Sequence, residues 1–125
     1  PLLPATVYFA PPDYHLLVDA GPRAALSVDA PLHYSRPSID VLFESAADQY
    51  GENLVGILLS GANHDGAAGL QAIGAAGGLM VVQDPDSALV PAMPRAALAC
   101  CASPRVLPPA GIAELLAQLH REGSL

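Results

Sequence analysis

Two near-continuous apolar runs organise the second half of the chain: Leu54-Val55-Gly56-Ile57-Leu58-Leu59 and Leu79-Met80-Val81-Val82-Gln83. Short apolar runs without alternation suit strands buried on both faces, as in parallel sheets. Between them, residues 66–76 carry small and apolar side chains that predict a helix packed closely on the sheet. Strand, helix and strand in this order predict a βαβ unit with parallel strands. Upstream, Thr6-Val7-Tyr8-Phe9-Ala10 reads as a strand stopped by Pro11-Pro12-Asp13. His15-Leu16-Leu17-Val18-Asp19 reads as a second, closed by Ala20-Gly21-Pro22, and residues 24–28 as a weaker third. Together these predict a small β-meander. Residues 31–37 form an irregular linker with His33, Tyr34 and Arg36.

Ser38 is a fitting N-cap for a helix that places Ile39, Leu42, Phe43, Ala46 and Ala47 on one face and ends at Gly51. Val41 stands where a capping box would have Glu or Gln. After the second apolar run, Asp84-Pro85-Asp86-Ser87 predicts a turn, and Met93-Pro94-Arg95-Ala96-Ala97-Leu98 a short helix with proline in its first turn. Arg105-Val106-Leu107 predicts a last strand. Pro108-Pro109 opens a last helix with Ile112, Leu115, Leu116 and Leu119 on one face and His120 in solvent. The pattern predicts an α/β protein: a three-layer α/β/α arrangement, a mainly parallel sheet and a short antiparallel β-hairpin excursion.

Composition narrows the function. The 125 residues are 52% hydrophobic and 14% charged, which fits one core-rich domain and not a disordered chain. Aromatic residues make up 5% and tryptophan is absent, so the core is aliphatic. A net charge of −7 argues against nucleic acid or an anionic membrane surface as partner. No apolar run approaches the ~20 residues of a membrane span, and no secretory signal pattern is present. Cys100 and Cys101 are adjacent, a spacing that suits neither a disulfide nor a metal site. They read as small buried apolar residues in a reducing compartment.

Chemistry concentrates in Ser60-Gly61-Ala62-Asn63-His64-Asp65-Gly66, at the carboxyl end of the first apolar run. Open α/β sheets bind ligands at that edge. Asp65 reads either as the N-cap of the following helix or as the carboxylate that orients a catalytic histidine. The amides of Gly61, Ala62 and Asn63 are candidate oxyanion or phosphate donors, although the dinucleotide fingerprint and the Walker lysine are absent. Ser60, His64 and Asp65 supply the residue types of a triad, but the geometry of one tight loop disfavours a local one, since the neighbouring side chains of His64 and Asp65 diverge. His15 and His33 lie in segments that could approach the loop, without a metal-ligand spacing. Arg36 and Arg95 suit a bidentate carboxylate contact or a structural salt bridge.

Ordered along the chain, several segments resemble the CheB-type chemoreceptor glutamate methylesterase catalytic domain. Ile57-Leu58-Leu59-Ser60-Gly61-Ala62-Asn63-His64-Asp65-Gly66-Ala67-Ala68-Gly69-Leu70 is similar to its aspartate loop. Thr6-Val7-Tyr8-Phe9-Ala10-Pro11-Pro12-Asp13-Tyr14-His15-Leu16 and Arg36-Pro37-Ser38-Ile39-Asp40-Val41-Leu42-Phe43 resemble two further family segments. Gln83-Asp84-Pro85 with Ala92-Met93-Pro94-Arg95-Ala96-Ala97 resembles a fourth. The resemblance implies hydrolysis of protein glutamate methyl esters to glutamate and methanol, without a cofactor or metal, in the cytoplasm. It implies methylated chemoreceptor domains as partners and an upstream receiver domain as a further one. Asp65 carries over as the triad acid, and the backbone N–H of Ala62 as an oxyanion-hole donor. The family's serine and histidine lie in loops after its first two strands, ahead of the segments matched here, and no Gly-x-Ser-x-Gly loop occurs in this chain. The expectation is therefore a partial methylesterase catalytic domain over residues 1–125, inactive by itself. The competing expectations are a non-catalytic interaction module of the same fold and, more remotely, a phosphate-binding module.

Overall fold

The sheet is built from β3 (Val55–Leu58), β4 (Leu79–Gln83) and β5 (Arg105–Leu107). A computed structural model of the chain describes residues 1–32, 36–62 and 64–123. The strands run parallel in the order β3-β4-β5, with Leu58 opposite Val82 and Val82 opposite Val106. Helix α2 (Ala67–Ala75) connects β3 to β4. Helix α3 (Ala92–Cys100) and then β5 and α4 (Pro109–Arg121) follow.

The uninterrupted apolar strands have a structural reason: both faces of the sheet are covered. Leu58 and Val82 point to α2 and α3, where they pack with Leu70, Met93 and Ala97. Val81, one residue earlier, points the other way and packs with Ile112 and Leu115 of α4. The three-layer arrangement follows directly from this alternation across β4. Covering ends just past β3, where Leu59 is 51% exposed.

Helix α1 (Ile39–Tyr50) lies against α2 and also packs with β1 (His15–Asp19), which pairs antiparallel with β2 (Arg23–Ser27) in the hairpin. Ser38 caps α1 as expected, accepting from the Val41 N–H, and the helix closes at Gly51. Asp84 caps a short 3₁₀ turn, Pro85–Ser87.

Two expectations are corrected. Residues 6–10 form no strand. A strand needs a hydrogen-bonded neighbour, and this segment has none among the described residues; Val7 and Phe9 are 78% and 87% exposed. The meander is thus a two-stranded hairpin. Cys100, expected to be buried with Cys101, is exposed at the end of α3, while Cys101 enters the core.

Candidate functional site

Asp65 is the hub of the site, in the loop between β3 and α2 at the carboxyl edge of the sheet. Its expected role as N-cap of its own helix is corrected. Gly66 is the residue that caps α2, at φ 104°, and the cap has no side-chain hydrogen bond. A Cβ at Gly66 would also lie 2.4 Å from the Leu58 Cδ1, so this tight exit from β3 requires glycine.

The Asp65 carboxylate turns instead to the other helix. Its Oδ1 accepts from the Ser38 Oγ–H at 2.7 Å and from the Asp40 N–H at 3.1 Å, and its Oδ2 accepts from the Ile39 N–H at 2.5 Å. These amides form the positive N-terminus of α1, where a carboxylate is favoured. Asp40 returns the arrangement. Its Oδ1 accepts from the Gly66 N–H at 2.9 Å and the Gly69 N–H at 2.7 Å, at the start of α2. The two helices therefore exchange caps. Gly69 allows the approach, since a Cβ there would meet the Phe43 Cβ at 2.7 Å and the Asp40 Cα at 3.0 Å. Asp40 and Asp65 are 1% and 3% exposed, and buried carboxylates persist only when hydrogen-bonded in this manner.

His15 completes the cluster from the start of β1. Its Nδ1 accepts from the Ser38 N–H at 3.1 Å and its Nε2 lies 3.0 Å from the Ala30 carbonyl, partners that place the ring proton on Nε2. Ser38, His15 and Asp65 are thus gathered in one place, the residue types of a nucleophilic triad, but their connections are not those of one. The Ser38 hydroxyl donates to the carboxylate, and both His15 nitrogens engage backbone groups. Ser38 and His15 are 3% and 1% exposed, closed to a substrate. This is a structural junction that fixes Asp65.

The loop itself separates the remaining candidates. The Ser60 Oγ donates to the Val90 carbonyl at 3.1 Å and accepts from the Val90 N–H at 2.9 Å, so Ser60 ties the loop to the segment entering α3. Its own N–H donates to the Gln83 Oε1 at 2.8 Å. The Gly61 N–H also donates to Val90, at 2.9 Å, which removes it from the proposed set of anion donors. Ala62 is exposed, and its N–H donates to no acceptor among the described residues. Asn63, His33 and Tyr34 lie outside the described residues. His64 is exposed beside Asp65, and His120 is exposed on the last turn of α4. The local Ser60–His64–Asp65 triad does not form.

Arg36 spends its Nη1 on the carbonyls of Val28 and Asp29, at 3.1 and 3.4 Å, tying the linker to the end of the hairpin. Its Nε is buried without a hydrogen-bond partner among the described residues. Arg95 is exposed on α3. Among the described residues no group of three His, Cys, Asp or Glu side chains could hold a metal ion, and no helix is long and apolar enough to cross a membrane. A cleft of about 930 Å³ between β3 and α4 is lined by Tyr50, Leu54, Ile57, Leu79, Leu116 and Leu119 among others and touches none of the Asp65 cluster.

The CheB methylesterase family model matches residues 1–116. The chain belongs to the CheB methylesterase family. A putative protein-glutamate methylesterase/protein-glutamine glutaminase of Leptospira interrogans is 48% identical over 115 residues, which cover 92% of this chain and 60% of the relative. A protein-glutamate methylesterase/protein-glutamine glutaminase of Symbiobacterium thermophilum is 39% identical, over 98% of this chain and 34% of the relative. The crystal structure of the Thermotoga maritima CheB methylesterase catalytic domain superposes with a TM-score of 0.82 at 28% identity, over 90% of this chain and 61% of that one. The chain thus spans between about one third and just over three fifths of the length of these CheB relatives. The α/β fold expected from sequence is the fold of that catalytic domain.

Sequence reasoning missed Ser38, Asp40 and His15 as the supports of Asp65. A signal was present for the first two: a polar cap and a first-turn aspartate in a segment that resembles the family. The pairing of that segment with the Asp65 loop is a tertiary fact with no local trace.

Proposed function

We propose that this chain is the acid- and oxyanion-bearing part of a protein-glutamate methylesterase catalytic unit. The reaction hydrolyses glutamate methyl esters on the cytoplasmic domain of chemoreceptors, giving glutamate and methanol. Asp65 is the triad acid: it accepts from the Nδ1–H of a histidine and holds the imidazole in the tautomer that can take the serine proton. The Ala62 N–H donates to the oxyanion of the tetrahedral intermediate. The serine and histidine belong to a family segment that residues 1–125 do not match. The work is acyl transfer in the cytoplasm and requires no metal or cofactor. A receiver domain is the proposed partner in regulation.

The observation that carries this reading is the fixed carboxylate of Asp65, clamped by the start of α1, in a CheB family loop whose exposed Ala62 amide donates to no acceptor among the described residues. The test is a chimera in which residues 1–116 replace the matched segment of the Thermotoga maritima catalytic domain. It should release methanol from methylated receptor, and Asp65→Ala should lower kcat by about 10³–10⁴-fold, as expected when an imidazole loses its orienting carboxylate. A folded chimera whose activity survives Asp65→Ala overturns the assignment. Methanol release by the 125-residue chain alone overturns the division of the triad. A folded but inactive chimera, with receptor binding retained by the chain, favours the non-catalytic interaction module.

A further inference from the structure

The end of α3 carries a pair of groups that the methylesterase reading does not use. Cys100 and Cys101 are adjacent, and their Sγ atoms lie 3.5 Å apart. Both thiols donate to the same acceptor, the Ala67 carbonyl, at 3.4 and 3.6 Å. Neighbouring side chains converge here because the backbone changes state between them. Cys100 is the last helical residue, while Cys101 is extended at φ −96° and ψ 137°. Cys100 is exposed, and Cys101 packs with Leu58, Leu70, Val82 and Met93.

We propose that Cys100 and Cys101 form a bidentate dithiol site for a soft, trivalent arsenical. The spacing decides this chemistry. Two bonds of about 2.3 Å, the usual thiolate–metal length, drawn from one centre to sulfurs 3.5 Å apart enclose an angle of about 99°, an open bite for a pyramidal centre. A direct disulfide would need the sulfurs to close to about 2.05 Å, and disulfides usually join Cα atoms at least about 4.4 Å apart, farther than neighbours across a trans peptide. A bridging atom therefore fits where a bond does not. Zinc would need further ligands, and no third His, Cys, Asp or Glu completes such a group among the described residues. An organoarsenical already holds a carbon and asks for two sulfurs only.

The step is a condensation without redox change. Two S–H bonds break and two As–S bonds form. The arsenic oxygen leaves as water with both thiol protons, and arsenic remains trivalent. Exposed Cys100 reacts first. Burial and the neighbouring Cys100 push the Cys101 thiol up to about 12, so Cys101 closes the ring by passing its proton to the departing oxygen. Chelation also takes both donors from the Ala67 carbonyl, at the first residue of α2.

The test uses phenylarsine oxide and intact-mass measurement of the 125-residue chain. One arsenical should bind per chain, persist through a large excess of glutathione, and leave on addition of dithiothreitol. Cys100→Ser should lower that retention by at least about 100-fold, because the second bond is then no longer intramolecular. Cys101→Ala should do the same, with circular dichroism to confirm its fold. Because Cys100 is exposed, its variant decides the matter even if Cys101→Ala unfolds. If glutathione strips the wild-type chain as readily as Cys100→Ser, the pair is not a chelating site.

Discussion

Replacing Asp65 by asparagine keeps the shape of the side chain and removes one acceptor. The amide oxygen can occupy the Oδ1 position and keep the Ser38 and Asp40 donors, but the amide NH₂ then faces the Ile39 N–H, which Oδ2 accepts at 2.5 Å. The loss is one charge-assisted hydrogen bond, worth about 1.5–3 kcal/mol. Loss of the favourable charge at the start of α1 adds about 0.3–1 kcal/mol. The sum, about 2–4 kcal/mol, is a large part of a typical domain stability of about 5–15 kcal/mol. With a urea slope of about 1–3 kcal/mol per molar, the unfolding midpoint should fall by about 1–2 M at unchanged slope. Long-range charge cannot produce this fall, because a chain of net charge −7 gains by losing an anion. Asp84→Asn is the control: Asp84 caps only the short 3₁₀ turn, through the Asp86 N–H at 3.0 Å, and should cost about 0.5 kcal/mol. Equal midpoint shifts for the two variants would refute the exchanged-cap account.

Other expectations follow from the same geometry. Asp40→Asn should destabilise comparably, and the Asp40→Asn/Asp65→Asn double variant should depart from additivity by about 0.5–3 kcal/mol in a urea double-mutant cycle, since both carboxylates hold one helix junction. Gly69→Ala should cost about 1–3 kcal/mol by overpacking against Phe43 and Asp40, read as a lower thermal midpoint. His15→Phe leaves the Ser38 N–H and the Ala30 carbonyl without their partner and should cost about 2–4 kcal/mol; nitrogen NMR of the native ring should show the proton on Nε2. Alkylation near neutral pH should label Cys100 and spare Cys101, by peptide mass mapping. The Cys101 thiol is raised from 9.0 to about 12 by burial and by Cys100, so the protonated form favours the fold. That contribution is complete below pH 9 and is lost as pH rises toward about 12, and Cys101→Ala should flatten the alkaline loss of stability.

The parts of the fold readable from sequence are those whose physics is local. Apolar runs at residues 54–59 and 79–83 announce strands covered on both faces, because only such strands can leave Val81 and Val82 both at 0% exposure. Ser38 announces α1, because a hydroxyl two or three residues ahead of free amides satisfies them wherever the chain goes afterwards. Residues 6–10 carry equally strong strand composition and form none, because pairing is a property of two segments and composition describes one. Asp65 shows the same divide at the site. Its position before a helix predicts a cap, and it is a cap, but for a helix that begins 26 residues earlier in the chain. A carboxylate that capped its own helix would move with its own loop. Clamped by Ser38, Ile39 and Asp40, it is instead fixed to α1, and α1 is fixed to α2 by Asp40 in return. A group meant to orient another side chain has to be held in this way, since catalytic geometry tolerates displacements of only a fraction of an ångström. The junction that makes Asp65 a structural cap of α1 is therefore also the fixity that the role proposed for Asp65 requires.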